Sequence, residues 1–143
     1  MRKRPRWVVD TNVLVSAFLW RGTPGQVIEL AGEQLIQLCT SRTLLDELAA
    51  TLAKPRLAKY VTATALTPAQ MLAHYRRLCT VVTPARLTRQ ISRDQDDDAV
   101  LACALGARAD LVVSGDGDLL SLGQFRGIEI VSAAAAVGLL TKG

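Results

Sequence analysis

The sequence predicts an α/β fold, a three-layer α/β/α sandwich around a parallel central sheet of four to five strands. Short apolar segments alternate along the chain with segments of helical periodicity. The apolar segments are continuous runs, which are typical of strands buried on both faces of a parallel sheet. The length of 143 residues fits one domain. We therefore expect a basic arm over residues 1–6 and a single domain over residues 7–143.

The first part of the chain predicts a strand, two helices and a second strand. Residues 6–10 are an apolar run that ends on an acid. Helical patterns follow at about 12–20 and 24–32, the second with Thr23 as its N-cap. Apolar residues return at 35–40 and predict the next strand.

The rest of the chain continues the alternation of helices and strands. Serine and threonine before helical patterns predict N-caps, and β-branched runs predict strands. The expected segments are the helix 42–53 capped by Ser41, the turn 56–60, the helix 68–78 capped by Thr67, the strand 80–83, the loop 85–95, the helix 96–107, the strand 110–114, the turn 115–118 with a short helix from Leu119, the strand 127–131 and the helix 132–140.

Charge is unevenly distributed. The chain has 17 basic and 13 acidic residues, a net charge of +4. Four of the basic residues lie in the arm, and removing them leaves 13 of each sign. A basic balance indicates a polyanionic partner but does not identify it.

Several classes of protein are excluded by composition. No apolar stretch approaches the ~18–20 residues of a membrane helix, and Asp10 interrupts the first apolar run too early for a signal peptide. The three cysteines are far apart and form no CxxC pair, so we expect reduced thiols in a cytoplasmic protein. The lone histidine, His74, argues against a zinc site and against a Ser-His-Asp mechanism.

Carboxylates follow the predicted strands at several points. Asp10 closes the first strand and Asp116 follows the strand 110–114, so both are expected at the carboxyl edge of a parallel sheet. Glu47 lies about two turns into the helix after the second strand, and further acids begin the helix 96–107. Helix capping, a turn or a solvated surface could explain most of these acids singly. Asp10 is harder to explain in this way, because an acid at the end of a buried strand is costly unless it is paired or lies in a cleft.

Clustered carboxylates without matching cations either retain protons or bind divalent cations. Ligands that are all oxygen suit Mg²⁺ or Mn²⁺. A common use of such ions is phosphoryl transfer, in which a metal-activated water displaces a leaving oxygen in line. A basic surround would then bind a nucleic-acid backbone.

Four segments resemble the motifs of PIN-domain ribonucleases, in the same order and with similar spacing. They are residues 8–17, with Asp10-Thr11-Asn12 after a strand, 41–48, 93–102 and 112–120, and the resemblance covers about residues 7–140. The chain is most similar to the toxin components of bacterial toxin–antitoxin pairs, the VapC-like proteins. This resemblance implies the sandwich fold and a Mg²⁺- or Mn²⁺-dependent endoribonuclease site.

The resemblance assigns Asp10, Glu47 and Asp116 to the first, second and fourth acids of the family, as catalytic residues and metal ligands. The third acid is Asp96, Asp97 or Asp98. Helix register counted from Ala104-Leu105 favours Asp97, whereas counting back from Asp116 favours Asp98. We prefer Asp97, because helix register is stiffer than loop length. Further candidates are Asp98 and Asp118 as metal ligands and Asn12 and Ser114 as polar neighbours of the ligands.

The expected function is hydrolysis of RNA phosphodiester bonds, with Arg76, Arg77, Arg89 and Arg93 as candidate RNA contacts. The resemblance also implies a small protein antitoxin as partner and a homodimer. One alternative is a non-catalytic PIN-like module that binds RNA or protein. Another is a small Mg²⁺-dependent phosphatase of the haloacid-dehalogenase type. Asn12 stands where that class needs a second aspartate, and the chain has no lysine between Lys59 and Lys142.

Overall fold

The computed structural model describes residues 4–141. Arg2 and Lys3 of the expected arm, and the last two residues of the expected domain, lie outside the described residues. Within them, six strands form one sheet in the order β3-β2-β1-β4-β6-β5. The strands are β1 (Arg6–Val9), β2 (Gln37–Thr40), β3 (Cys79–Val81), β4 (Leu111–Val113), β5 (Gln124–Phe125) and β6 (Ile128–Val131).

The five strands predicted from the sequence all pair in parallel. β1 lies between β2 and β4, with Val8 opposite Cys39 on one side and Val112 on the other. The second strand is shorter than expected and starts at Gln37. The two-residue β5 was not predicted. It pairs antiparallel with β6 through a turn in which Arg126 and Gly127 have positive φ angles of 49° and 84°.

Eight α-helices connect the strands within the described residues. They are α1 (Thr11–Leu19), α2 (Gly22–Gly32), α3 (Arg42–Leu52), α4 (Ala58–Ala63), α5 (Pro68–Leu78), α6 (Gln95–Ala107), α7 (Gly117–Leu122) and α8 (Ala133–Thr141). None is both long and apolar enough to cross a membrane.

Strand side chains alternate between two apolar layers, which confirms the three-layer sandwich. Trp7 and Val9 pack in a cluster with α1, α2, α3, α5 and α8. Val8 points to the opposite face and packs in a second cluster, built mainly with α6 and α7. Because both faces are covered at the centre of the sheet, β4 and the last three residues of β1 are continuous apolar runs.

Two predicted helix caps are confirmed. The Ser41 hydroxyl accepts a hydrogen bond from Leu44 N at 3.3 Å. Thr67 forms a reciprocal capping box with Gln70 at the start of α5. The predicted Thr23 cap is wrong, because α2 begins earlier, at Gly22, and Arg21 is its N-cap with a φ of 62°.

Two short helices also differ from the expectation. The segment predicted as the turn 56–60 is a 3₁₀ turn, Pro55–Leu57, continued by α4. α7 starts at Gly117 rather than Leu119, because the Asp116 side chain caps it. Both corrections concern single turns of helix, for which six residues give little periodicity.

Gly106 lets α6 approach the segment after β3. A Cβ atom at this position would lie 2.2 Å from the Thr83 carbonyl oxygen and 3.1 Å from Ala85 N. Ala85 N donates to the Ala102 carbonyl oxygen at 2.9 Å, which fixes the same contact. The segment is thereby held against α6, whose first turn carries the clustered aspartates.

Candidate metal centre

The centre of the sheet is a topological switch point. From β1 the chain builds outward through β2 to β3, and then returns to place β4 on the other side of β1. Asp10 directly follows β1, and its backbone N donates to the Val113 carbonyl oxygen of β4 at 2.9 Å. Ligands of open α/β sheets bind at the carboxyl ends of the strands beside such a point.

Asp10 is buried at this edge, with 8% of its surface exposed. Its Oδ1 accepts from Thr11 N at 2.8 Å and caps α1, and its Oδ2 accepts from the Ser114 hydroxyl at 2.8 Å. Burial raises the pKa of Asp10 above its usual value, and the charges of Asp116 and Asp94 add to this, against the two hydrogen bonds.

Ser114 links the ends of β1 and β4. Its buried hydroxyl donates to Asp10 and accepts from Asp116 N at 3.0 Å. The sequence singled out this serine as a polar neighbour of the ligands, and the structure places it between two of the candidate acids. Asn12, the other predicted neighbour, is exposed in the first turn of α1.

Asp116 is positioned by the helix that it caps. Its Oδ1 accepts from Asp118 N at 2.8 Å and Leu119 N at 3.1 Å. Both bonds use the same oxygen, and among the described residues Oδ2 accepts none. One carboxylate oxygen is therefore held in place while the other is available to a ligand.

The three adjacent aspartates at the start of α6 have different environments. Asp96 is exposed. Asp98 accepts two backbone hydrogen bonds, from Ile91 N at 3.0 Å and Ser92 N at 2.7 Å, and so anchors the preceding loop. Asp97 is 4% exposed and accepts from the Ser92 hydroxyl at 3.0 Å.

Carboxylate oxygens of Asp97, Asp116 and Asp118 all lie within 4.8 Å of one another. The pKa of Asp97 is raised to about 6, chiefly by burial and to a smaller extent by the charges of Asp116, Asp94 and Asp10. Carboxylates that repel one another and offer only oxygen donors are chemically suited to Mg²⁺ or Mn²⁺. We call Asp97, Asp116 and Asp118 the acidic triplet.

Glu47 and Asp10 lie beside the triplet rather than within it. Glu47 is half-buried on α3. Its pKa is raised to about 6, chiefly by burial and also by the charges of Asp96 and Asp10, against the lowering effect of the Thr11 side chain. The charge of Asp10 therefore acts on Glu47.

Arg93 is the basic residue bound to the triplet. Its Nη2 lies 3.2 Å from Asp118 Oδ1, and the two side chains are 89% and 46% exposed. An ion pair this exposed is worth about 0–1 kcal/mol. It therefore offsets little of the negative charge of the cluster.

The other candidate RNA contacts separate into two groups. Arg89, like Arg93, lies in the loop between β3 and α6, which starts from the carboxyl edge. Arg76 and Arg77 are in the last turn of α5, which leads directly into β3 at the opposite, amino edge. The structure therefore does not bring Arg76 and Arg77 to the acids.

Two contributors to the centre, Ser92 and Thr11, were missed by sequence reasoning. Ser92 donates to Asp97, and the Thr11 side chain lowers the pKa of Glu47. Asp94 is one of the acids expected at the start of this helix, and it caps α6 by accepting from Asp96 N at 2.9 Å. Ser92 carried no signal in the sequence, because its position depends on how the loop folds back onto α6.

A separate cleft of about 560 Å³ lies at the far end of α1. It is lined by aromatic and charged side chains, including Trp20, Arg21 and His74. None of the acids of the candidate centre lines it, so the two sites are distinct.

The chain is similar to known proteins in sequence and in fold. A family model described as a PIN domain matches residues 6–118. Uncharacterized protein MJ1680 of Methanocaldococcus jannaschii is 30% identical over 116 residues, covering 80% of this chain and 73% of that protein. The solved structure of the T. brucei RRP44 PIN domain aligns with a TM-score of 0.47 at 14% identity, covering 97% of this chain and 83% of that one.

Proposed function

Because this chain belongs to the PIN-domain family, whose members are generally nucleases, we propose that it is a divalent-metal-dependent endoribonuclease. The observation that carries the proposal is the acidic triplet at the switch point of the sheet, with Asp10 and Glu47 beside it. The donor set is all oxygen, and burial raises the pKa of Asp97 within it and of Asp10 beside it, which a bound cation would lower again.

The proposed ligands are Asp97 and Asp116, with Asp118 as a third, and Asp10 as an acid held directly behind them by Ser114. A bound Mg²⁺ or Mn²⁺ would supply a water of lowered pKa and would offset charge on the scissile phosphate. Ser92 and Ser114 fix the orientation of the carboxylates. Asp98 is occupied by the loop backbone, which favours Asp97 as the third family acid.

Glu47 is the proposed proton-handling group. Its pKa of about 6 keeps it partly protonated near neutral pH, unlike an ordinary glutamate. It can therefore accept or return a proton during hydrolysis without a histidine. His74 is distant from the acids in this scheme, since it lines the separate cleft.

The test is cleavage of a labelled RNA with Mn²⁺, with Mg²⁺ and with EDTA. Asp10→Asn should reduce the rate by about 10- to 100-fold, because it removes a charge from the centre. Asparagine can still accept from Thr11 N, so the cap of α1 and the fold should persist. Asp46→Asn is the matched control, since it removes an exposed acid next to Glu47 on the same helix.

The outcomes separate the alternatives. Wild-type cleavage in EDTA would exclude metal dependence, and full activity of Asp10→Asn would exclude the assigned site. RNA binding without cleavage under any metal condition would favour the non-catalytic module. Release of phosphate from a phosphomonoester, with RNA left intact, would favour the phosphatase.

We further propose that the chain is the toxin of a toxin–antitoxin pair in the cytoplasm, acts as a homodimer and is covered by a small antitoxin. The support is the order and spacing of its four motifs. Induced expression in a bacterial host should arrest growth, and Asp10→Asn should relieve the arrest. Light scattering on the purified protein tests the dimer. Normal growth at equal expression of the active nuclease would contradict the toxin role.

A further inference from the structure

A row of arginines follows the amino edge of the sheet, opposite to the acidic triplet. We call them the amino-edge arginines. They are Arg4, Arg6, Arg76, Arg77, Arg108 and Arg126. One or more of them precedes or begins four of the five parallel strands, and Arg4 contacts the start of the remaining one.

Contacts along the edge join the starts of β3, β2 and β1. Arg76 and Arg77 end α5 just before β3, and the neighbouring Leu78 carbonyl oxygen accepts from Gln37 Nε2 at 3.4 Å. Gln37 begins β2, and its Oε1 accepts from Arg4 Nη2 at 2.7 Å. The arginines before β3 and those before β1 therefore belong to one continuous edge.

The edge continues through β4 to β6. Arg6 Nε donates to the Ala107 carbonyl oxygen at 2.7 Å, and Arg108 follows directly, three residues before β4. Arg126 lies in the turn that precedes β6. Five parallel strands about 4.8 Å apart give the row a length of about 19 Å.

These arginines are not neutralised by neighbouring acids. Within residues 4–141, the one ion pair closer than 4.0 Å joins Arg93 to Asp118, and none involves the amino edge. Asp110 lies at this edge, but its Oδ2 accepts from the backbone N of Arg6. All six side chains except that of Arg6 are exposed.

Two of the arginines hold unfavourable backbone conformations. Arg108 and Arg126 have φ angles of 52° and 49°, in the left-handed region that glycine and asparagine prefer. Arg126 also lies over the Phe125 ring, 5.2 Å from its centroid. Neither backbone position favours arginine over glycine or asparagine.

We propose that the amino-edge arginines bind the phosphate backbone of RNA at a distance from the cleaved bond. The choice of RNA rests on the proposed function. It is favoured over an acidic protein segment because the row spreads its charges over about 19 Å along one edge, which suits a backbone that carries one negative charge at every nucleotide. The strands alone separate this row from the acidic triplet by about 10–13 Å.

The test compares Arg77→Gln/Arg108→Gln/Arg126→Gln with the matched control Lys54→Gln/Arg56→Gln/Lys59→Gln. Both remove three exposed positive charges, the control from the segment around α4. Affinity for a single-stranded RNA of about 20 nucleotides is measured by fluorescence anisotropy in EDTA over a range of salt. The row variant should bind at least about tenfold more weakly, with a salt slope smaller by about 2, at roughly 0.7 per phosphate contact.

If the control variant bound RNA as weakly as the row variant, the effect would be due to net charge alone and the proposal would be wrong. The proposal would also be overturned by unchanged binding of a row variant whose thermal melting matches wild type. Loss of polyglutamate binding with RNA binding intact would also overturn it, in favour of an acidic protein partner. These binding measurements are made without metal. A wild-type protein that binds RNA through the row but never cleaves it would therefore contradict only the nuclease proposal.

Cleavage gives an independent readout. With Mn²⁺, the row variant should cleave the long RNA with a raised KM and a kcat close to wild type. A dinucleotide should be cleaved equally by both, because its single phosphate cannot lie at the acids and at the row at the same time. A kcat loss on the short substrate would show that the row acts on the catalytic centre and would contradict remote binding.

Discussion

Ser114 joins the ends of two neighbouring strands through one buried hydroxyl group. It donates to Asp10 and accepts from the backbone of Asp116, so the orientation of both acids depends on it. Each acid also caps a helix with its own carboxylate. The centre is thus assembled from capping interactions, and the same side chains start α1 and α7.

Buried acids of this kind give stability an unusual pH dependence. Asp97 has a folded pKa of about 6 against an ordinary 3.8, chiefly because of burial. Between these values the folded state holds the extra proton, so the free energy of unfolding falls as pH rises through this window. The free energy of unfolding, measured by urea denaturation in EDTA, should decline less steeply for Asp97→Asn than for wild type between about pH 4 and pH 6.5.

Asp46→Asn is the control for this measurement, since it removes an exposed acid of α3 outside the cluster. Its pH slope should match that of wild type. An identical slope for Asp97→Asn would mean that Asp97 titrates normally in the folded protein and is not buried among acids.

At the scale of elements, the contact of α6 with the segment after β3 depends on a glycine. Gly106→Ala would place a Cβ atom 2.2 Å from the Thr83 carbonyl oxygen, and backbone rather than a flexible side chain would have to move. We expect a loss of about 3 kcal/mol in the free energy of unfolding. Urea denaturation of the two proteins measures it.

Gly32→Ala is the matched control. It also changes a helical glycine, at the end of α2, where nothing lies within 4 Å of the new methyl group. Its stability should stay within about 1 kcal/mol of wild type. Equal stability of Gly106→Ala and wild type would show that α6 does not need this close approach.

The sequence predicted elements well where several signals coincided. Thr67 before Pro68 and a periodic run located α5, and continuous apolar runs located the five parallel strands. It failed where the signal was one turn long or depended on tertiary contacts. α4 follows a proline turn without a side-chain cap, and the start of α2 depends on the positive φ of Arg21.

The candidate site could also be predicted in part from the sequence. Strand ends located Asp10 and Asp116, because the carboxyl ends of parallel strands share one edge. The three adjacent aspartates differ only in how the loop before them folds, and Asp98 is distinguished from Asp97 by backbone donors at Ile91 and Ser92. The sequence did not show that Arg76 and Arg77 lie across the sheet from the acids, because that position depends on the direction of β3.

The whole molecule is electrically polar along its strands. Eight of the 13 acids lie in the candidate centre or flank it: Asp10, Glu47, Asp94, Asp96, Asp97, Asp98, Asp116 and Asp118. The amino-edge arginines lie at the other end of the strands. Cation binding at the acids would remove negative charge and make the whole surface more attractive to RNA.

Cation binding should therefore stabilise the fold as a whole. At about 100 times its Kd, a bound ion adds about 2.7 kcal/mol to the free energy of unfolding. For a domain of this size, that raises Tm by on the order of 5–10 °C. Differential scanning fluorimetry with Mn²⁺ should show this shift for wild type, and Asp116→Asn should lose most of it.

Glu33→Gln is the control for the melting experiment. Glu33 follows α2 and precedes β2, so it lies towards the amino edge of the sheet, opposite the triplet. It should respond to Mn²⁺ as wild type does. A full shift in Asp116→Asn would place the bound ion elsewhere on the molecule.

Both strands at the borders of the sheet are short. β3 has three residues and β5 has two, whereas three of the inner strands, β1, β2 and β6, have four each. Unpaired backbone donors and acceptors at a sheet border invite another chain to add as a strand, and short border strands offer few of them. The sheet is thus protected against strand addition and cross-β aggregation.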